Sequence, residues 1–513
     1  MADGNPTMGS EAGTHALRRA AAVAQAAEAR AAQAELTADG RPVVARPVGR
    51  GNIIGFIVLM ANFCALYGAL GVLGHAPSLM VVSAAFGLLS ILYVALNPRI
   101  AVTVLGDFSA WGTLLVGYIA PLLYLAILLA ARQIKMPQLG YWIAFNLSFS
   151  AIFLNAVIFG YVLDSRRITW FYYLAALVIA GEFVSNATNY QFTMLVLDFS
   201  ASVISKSLTL DRFMGFFGIF NTAAYAVFLA VFVVAVQARR VTLPFLIFNL
   251  IAAYLIFLTQ SRTSLIMMAL VLGWVALRAL ANRPAYIRIA MVLLPLLLAA
   301  GAAALVVKSH SLSSGSNAMM DRFTGLLAAV FADGSHADES SQLRVRAISQ
   351  FMTLISERPF TGYGLDVIGE LVSRGDLVAV SQNSWIEWGT EFGVTYPVLV
   401  AISLLVIYIR ESRASVLIRL QGLQGDNLRF FIVTMVISSL SIMDFYQIRP
   451  FTVAFGMLIG QFIRNRKLSQ MEAEVDRMTP MPMAAPLPVP PRIPRRPLPA
   501  TPIPRATPQG PAS

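Results

Sequence analysis

The stretch SQNSWIEWGTEFG, residues 381–393, lies where a long polar segment ends and an apolar run begins. Asn383, Glu387 and Glu391 are spaced four residues apart in it, so a helix beginning here would place them on one face. Carboxylates at the edge of a bilayer are costly and usually face a cavity or a partner. The stretch is therefore a candidate for chemistry between lipid and water. A hydrated helix end with snorkelling side chains is the alternative.

The composition excludes an ordinary soluble domain. Of the 513 residues, 57% are hydrophobic and 12% are charged, which indicates a polytopic membrane protein. The net charge of +12 forms no compact basic face with interleaved aromatic residues, so nucleic-acid binding is not expected. The single Cys64 excludes an intramolecular disulfide and a cysteine metal cluster. The first 50 residues contain no apolar core of the signal-peptide type, so no cleaved leader is expected.

Apolar runs of roughly 20 residues, the length that crosses a bilayer, recur along the chain. The predicted fold class is an all-α integral membrane protein of about twelve transmembrane helices with one large periplasmic loop domain. The predicted runs are 53–72, 77–96, 108–131, 139–163, 168–184, 213–236, 241–259, 263–281, 287–307, 384–409, 429–446 and 450–464.

The predicted domain organisation has five parts. They are an Ala- and Arg-rich cytoplasmic tail (1–51), transmembrane helices one to nine (52–307), the periplasmic loop (308–383), helices ten to twelve (384–466) and a Pro-rich cytoplasmic tail (467–513). The first tail is either a marginal surface helix or disordered. Residues 479–513 of the second are too rich in proline to build a helix, so an extended, disordered tail is expected, with a polyproline docking site as the alternative.

The distribution of arginine sets the expected orientation. If the N-terminus is cytoplasmic, most arginines between spans lie on the cytoplasmic side of the membrane, as the positive-inside rule requires. The loop is then external, which in a bacterium means periplasmic. We therefore expect an inner-membrane protein with both termini cytoplasmic and the active site periplasmic. The inward-facing set includes Arg99, Arg166, Arg239, Arg283, Arg410 and Arg464, whereas Arg132 and Lys135 fall on the other side.

Residues 342–357 (QLRVRAISQFMTLISE) have helical periodicity, with an apolar side that includes Ala347 and Phe351. Arg344 projects from the middle of that side, and Arg346 falls on the polar side. Because a guanidinium group cannot discard its charge, Arg344 needs an anionic partner. That partner is either a bound anion or a structural ion pair, for which the candidates are Asp366 and Glu370.

A second arginine, Arg262, follows Ser261 where two apolar runs meet on the same external side. Arginines that flank spans often only snorkel. Together with Arg344, however, Arg262 would form a two-pronged clamp for phosphate, whose oxygens fit the planar guanidinium fork.

The segment PFTGYG, residues 359–364, follows the loop helix. Pro359 ends the helix, and Gly362 and Gly364 allow a tight turn with backbone amides open to a ligand. A turn without a ligand is the alternative.

The order of these elements resembles that of the O-antigen ligase and O-antigen polymerase superfamily. The family's hallmark is HN, two residues, Leu, four residues, Glu, one residue, Gly. Asn383, Ile386, Glu391 and Gly393 match it with the spacing intact, but Gln382 stands in the place of histidine. The motifs cover roughly residues 261–397, and the architecture covers the whole chain.

The resemblance implies a metal-independent, inverting glycosyl transfer that needs no cofactor. The donor would be an oligosaccharide on undecaprenyl diphosphate, and Arg262 and Arg344 would stabilise the leaving diphosphate. The other residues expected to bind substrate are Ser261, Arg346, Gly362, Tyr363, Gly364 and Asn383.

The identity of the general base stays open, because a neutral amide such as Gln382 cannot accept the proton of the acceptor hydroxyl. One hypothesis is that Glu387 or Glu391 takes the proton. Another is that Gln382 only positions the acceptor and that proton loss comes late. His310 and His336 lie in the loop and could substitute.

The missing histidine favours a polymerase of exopolysaccharide or O-antigen repeat units over a ligase that transfers the glycan to the lipid A core. A transferase that glycosylates protein is a further alternative. A transporter or flippase is the alternative from another class, and Asp107 and Glu182 would then be the residues of interest. The expected partners are membrane lipid, the lipid-linked oligosaccharide, and the flippase and chain-length regulator of a polysaccharide assembly system.

Overall fold

Every described element of the computed structural model is a helix, so the all-α class is confirmed over these residues. The structure describes residues 49–66, 79–130, 136–188, 220–237, 242–259, 261–280, 339–364, 367–378, 381, 383–420, 427–440, 446 and 448–478. The first helices are α1 (Asn52–Phe63), α2 (Leu79–Leu96), α3 (Pro98–Leu105), α4 (Phe108–Leu114), α5 (Ala120–Ala130), α6 (Met136–Val162), α7 (Ser165–Thr188) and α8 (Phe220–Gln237). The others are α9 (Leu243–Thr259), α10 (Arg262–Leu280), α11 (Glu339–Glu357), α12 (Val367–Arg374), α13 (Ser384–Phe392), α14 (Thr395–Leu420), α15 (Asn427–Ser439) and α16 (Arg449–Met478).

Candidate membrane spans can be recognised in the described part of the chain by length and composition. There, the segment Ile143–Val162 is long and apolar enough to cross a bilayer. Ala84–Leu96 and Pro98–Leu105 would make a second span only as a pair, which is bent by 96°. The count of twelve spans therefore stays a prediction, and residues 308–338 of the predicted loop lie outside the described part. Shorter apolar helices are Asn52–Phe63, Phe108–Tyr124, Thr222–Gln237, Leu243–Ile256, Thr263–Val275 and Leu428–Ser439.

The chain divides into two compact units, Met1–Ser469 and Gln470–Ser513. In the second unit, the described residues 470–478 are helical. The helices and contacts discussed below belong to the first unit.

Two arginines lie at the start of α4, which a π-helical turn (Leu115–Ile119) joins to α5 in one continuous helix. Asp107 precedes α4 and pairs with Arg466 of α16, although its own side chain is only 2% exposed. Arg410 of α14 lies over the ring of Phe108, 5.2 Å from its centroid. Removing one partner of such a buried ion pair would leave an uncompensated charge. We call the cluster of Asp107, Phe108, Arg410 and Arg466 the arginine end.

Helices α6 and α16 cross at glycines and therefore pack very closely. A Cβ atom at Gly160 would lie 2.1 Å from the carbonyl oxygen of Met457, and one at Gly460 would lie 2.0 Å from that of Val157. Gly456 and Gly460 are four residues apart, the small-xxx-small spacing that lets helices approach in membranes. Larger side chains at these positions would push α16 away from α6.

The loop helix α11 packs against α12 and α13 through a small apolar core. Ala347 and Phe351 are fully buried there together with Ile368 and Leu377, and Ile386 of α13 packs against the same cluster. The predicted helix over 342–357 and its apolar side are thus confirmed. This core holds α13 beside the helix that carries Arg344.

Candidate active site

The SQNSWIEWGTEFG stretch folds into a short helix, α13. Asn383 has an extended backbone, and its side-chain oxygen accepts from the N–H groups of Trp385 (3.0 Å) and Ile386 (3.3 Å), as a helix N-cap does. The helix ends at Gly393, where φ is 75°, so the predicted apolar run from 384 to 409 is divided at that residue. Asn383 therefore lies outside the helical face that carries the two glutamates, and its side chain stabilises the helix.

Glu387 is a buried carboxylate with a neighbouring serine. Its side chain is 4% exposed, and its Oε1 accepts from the Ser381 hydroxyl at 3.0 Å. The backbone N–H of Asn383 donates to the same Ser381 oxygen at 3.1 Å. The Ser381 hydroxyl thus connects the backbone of Asn383, at the N-terminus of α13, with the carboxylate of Glu387. The sequence contained a signal for this role, because a serine two residues before an N-cap asparagine often bonds to local backbone groups.

The PFTGYG turn packs against the end of α13. Gly362 has a φ of 61°, and a Cβ there would lie 2.3 Å from the carbonyl oxygen of Glu391. The N–H groups of Tyr363 and Gly364 donate to the carbonyls of Thr390 (2.8 Å) and Glu391 (3.0 Å). We had expected these amides to be open to a ligand. They instead satisfy carbonyls that the last turn of a helix leaves without intrahelical partners.

The side chain of Tyr363 is partly exposed and points to charged groups. Its hydroxyl donates to the Glu357 carboxylate, and the guanidinium of Arg358 lies 4.6 Å from the ring centroid. The hydrogen bond to Glu357 raises the pKa of Tyr363 above its usual value, because that bond requires the protonated phenol. Tyr363 therefore remains a neutral donor at physiological pH.

Tyr124 of α5 joins the turn and α13 to the rest of the helices. Its hydroxyl donates to the carbonyl of Thr361 and lies 3.0 Å from the carbonyl oxygen of Glu391. Its ring meets Phe392 edge to face, with centroids 5.0 Å apart. We did not predict this residue, because Tyr124 lies far from both partners in sequence and its neighbours are ordinary apolar residues.

Aromatic residues hold the inner side of α13. Trp388 is fully buried and stacks on Tyr446, with centroids 5.9 Å apart. The indole N–H of Trp385 donates to the Ser439 hydroxyl of α15 at 2.6 Å. The two tryptophans thus fix the orientation of the helix, which determines where its glutamates lie.

The positions of the two candidate arginines are described, but their side chains and the whole of Gln382 lie outside the described part of the chain. Arg262 is the first residue of α10. Ser261, just before it, is buried, and its hydroxyl lies 3.1 Å from that of Ser264. Arg344 lies within α11. His310, His336 and Asp366 are also outside the described residues.

The polar side of α11 is exposed as predicted. Arg346 and Glu357 face solvent. Gln350, on the same side, accepts from the Val378 N–H at 3.1 Å. Glu370, one of the two candidate partners for Arg344, pairs with Arg374 one helical turn away.

The contacts between α11 and α13 show that the two helices run in the same direction. Gly389 faces Ile355, since a Cβ at the glycine would lie 3.1 Å from that side chain. One turn earlier, Ile386 packs on the cluster that contains Phe351. By this register, residue 344, eleven residues before Ile355, lies at the level of residue 378, about 9 Å along the axis before the start of α13. The levels of Glu387 and Glu391 are about 14 Å and 20 Å further along the axis from residue 344.

The comparisons with known proteins agree with the motifs. An all-helical chain with a loop helix packed on a short glutamate-bearing helix is compatible with a membrane protein of the superfamily proposed above. Residues 247–395 match the family model Wzy_C, described as O-Antigen ligase, a family of membrane proteins with activity of the ligase and polymerase type. The match confirms the resemblance over the segment from α9 to α13. A search of curated proteins found no match.

Proposed function

We propose that this protein is a polysaccharide polymerase that transfers a glycan from undecaprenyl diphosphate to another lipid-linked repeat unit. The observation that carries the proposal is the packing of α13 against α11 within the segment that matches the family. The helix that carries Glu387 and Glu391 runs alongside the helix that bears Arg344, and Glu387 is the nearer of the two glutamates to the level of residue 344. The family model supports transfer of the ligase and polymerase type, and the choice of polymerase rests on Gln382.

The proposed reaction is an inverting displacement. The acceptor hydroxyl attacks the anomeric carbon from the face opposite the diphosphate and loses its proton to a carboxylate. The bond between the anomeric carbon and the diphosphate oxygen breaks, and its electron pair leaves with the diphosphate. Arg262 and Arg344 would stabilise that developing charge, a form of electrostatic stabilisation that contributes several kcal/mol in other enzymes.

Glu391 is the more accessible of the two candidate bases. It is partly exposed, whereas Glu387 is 4% exposed and accepts from Ser381. A base must come within hydrogen-bond reach of the hydroxyl it deprotonates. We therefore assign proton transfer to Glu391 and a positioning role to Glu387, with Gln382 orienting the acceptor through its amide.

Glu391→Gln is expected to lower kcat by roughly two orders of magnitude, because general-base catalysis typically contributes 10²–10⁴-fold. The measurement is turnover of a lipid-linked repeat unit by the purified protein. Glu387→Gln should retain more activity, since an amide can still accept from Ser381. Glu370→Gln, at an exposed carboxylate, serves as the control and should match the wild type. Full turnover in both Glu387→Gln and Glu391→Gln would refute a carboxylate base.

Tyr124→Phe is expected to reduce kcat by about fivefold, which corresponds to a lost hydrogen bond of roughly 1 kcal/mol. The substitution keeps the ring on Phe392 and removes the hydroxyl that donates to Thr361. The loss should appear in kcat more than in KM if Tyr124 positions the reacting groups. Tyr254→Phe provides a control, because that tyrosine is 57% exposed on α9. Equal effects at both positions would argue against a positioning role for Tyr124.

The glycan profile of cells that lack the protein separates the candidate functions. Loss of long polymer, with single repeat units still attached to their final acceptor, would indicate a polymerase. Long polymer that remains on undecaprenyl diphosphate would indicate a ligase, the activity after which the matching family is named. Repeat units trapped on the cytoplasmic face would indicate a transporter.

The arginine end supports the proposed orientation, with this end in the cytoplasm and the loop in the periplasm of the inner membrane. Asp107, one residue of interest for a transporter, is used there in an ion pair with Arg466. Glu182, the other, is 5% exposed within α7. We also propose that the flippase and the chain-length regulator of a polysaccharide assembly system act with the protein.

A further inference from the structure

Phe360, at the tip of the PFTGYG turn, is an exposed aromatic side chain on a fixed backbone. It is 78% exposed, the highest value among the large apolar side chains in the described part of the chain. The carbonyl of Pro359 accepts from the Val394 N–H at 2.7 Å. A Cβ at Gly393 would lie 2.5 Å from the backbone of Phe360. The tip therefore cannot turn inward without losing its contacts with the end of α13.

The distance between this tip and the arginine end can be obtained along two different helices. Thr395 and Arg410 are 15 residues apart in α14, which is about 22 Å at 1.5 Å per residue. Phe108 and Tyr124, which donates to Thr361 beside the tip, are 16 residues apart, or about 24 Å. Arg410 lies on Phe108, so both distances start from the same place. The hydrocarbon core of a bilayer is about 30 Å thick. If one boundary of the hydrocarbon core lies at the arginine end, the opposite boundary lies about 6–8 Å beyond the level of the tip, so Phe360 is on the acyl-chain side of that boundary.

Between Thr395, which is exposed at the level of the tip, and Arg410, the exposed side chains of α14 are apolar. Its exposed side chains recur at helical spacing and form one stripe, which Val394, 41% exposed, extends to the turn. Exposed aliphatic side chains in this arrangement are typical of a surface that contacts lipid rather than water. The stripe consists of Val398, Ile402, Leu405 and Ile409.

We propose that Phe360 inserts into the outer interfacial layer of the bilayer and contacts lipid acyl chains. Phe is among the apolar side chains that membrane-surface segments bury at the boundary between headgroups and acyl chains. The contact would anchor the end of α11 and the PFTGYG turn at the depth of the lipid headgroups. A diphosphate carried by a membrane lipid lies at that depth, so the anchored turn would meet it without rising into the periplasm. The proposal concerns the membrane position of the turn and does not depend on glycosyl transfer.

Site-directed spin labelling in lipid nanodiscs tests the proposal. Cys64 is the single cysteine and is buried, so a Cys64→Ala protein provides the background for Phe360→Cys. The label is probed for collisions with oxygen, which enters lipid, and with a nickel chelate, which stays in water. Two reference variants are Leu405→Cys on the stripe and Thr353→Cys on the exposed polar side of α11.

The label at residue 360 is expected to show an oxygen-to-nickel collision ratio several-fold higher than at residue 353 and close to that at residue 405. A ratio equal to that at residue 353 would place Phe360 in water and overturn the proposal. Protection from both probes would mean that protein covers the tip, which would also overturn it. Val394→Cys gives a second reading at the same depth if Phe360→Cys does not fold. Because no turnover is measured, the result is independent of whether the protein is a transferase.

Discussion

Arg344→Ala is expected to reduce kcat for glycan transfer by two to three orders of magnitude, the typical effect of removing one preorganised group that stabilises developing charge. The arginine lies on α11, and the packing of α11 against α13 puts its backbone about 9 Å along the axis before the start of that helix. The measurement is turnover by the purified protein with a lipid-linked repeat unit. Arg344→Lys should recover part of the activity, because lysine retains the charge but not the planar fork.

Arg346→Ala is the matched control, since it removes the same charge from the same helix two residues away. Arg346 is exposed on the polar side of α11, opposite the face buried against α13. Arg346 is itself a candidate for binding substrate, so some loss is expected, but a smaller one than for Arg344→Ala, because an exposed charge contributes less than one that stabilises developing charge. Equal losses in the two alanine variants would mean that the total charge of the loop, not the position of Arg344, supports transfer.

Gly362→Ala is expected to cause a loss of activity of comparable size by displacing the turn. Its Cβ would lie 2.3 Å from the carbonyl oxygen of Glu391, and the residue would have to keep a φ of 61°. Moving the turn to relieve this contact would break the hydrogen bonds from Tyr363 and Gly364 to the end of α13. Turnover and thermal stability in detergent should both fall, because each buried carbonyl left without its donor costs about 1–3 kcal/mol.

The variant Gly375→Ala shows the effect of backbone strain on stability and turnover without the effect of a steric contact. Gly375 also has a positive φ, 81°, but a Cβ there would meet no atom within 4 Å. Alanine at this position should therefore cost about 1 kcal/mol of stability and leave turnover nearly unchanged. If Gly362→Ala were as mild as Gly375→Ala, close packing of the turn on α13 would not be needed for the site.

The structure gives a physical reason for much of the family hallmark in this chain. Asn383 caps α13, Ile386 packs against the core of the loop helix, and Gly393 adopts a φ of 75° that favours glycine. These three residues therefore support the backbone. The chemistry we propose falls to Glu391 and to position 382, where this chain has glutamine.

Local sequence patterns were sufficient to predict the helices and which of their faces are buried. Apolar runs and the periodicity of residues 342–357 predicted the all-α class, the loop helix and the exposure of Arg346, because these properties depend on neighbours three and four residues away. The same patterns singled out the glutamates of α13. They did not show that α13 stops at Gly393 or that its N-cap is Asn383, since both depend on the backbone geometry of the junction.

Contacts between segments that are distant in sequence could be identified only from the tertiary structure. The amides of Tyr363 and Gly364 serve the last carbonyls of α13, and Tyr124 donates to Thr361 across more than two hundred residues of chain. No local pattern indicates that a turn will find its partners in a later helix, because such pairings are selected by the packing of the whole fold. Sequence motifs therefore indicate which residues carry the chemistry, and long-range hydrogen bonds and close glycine contacts set where those residues lie.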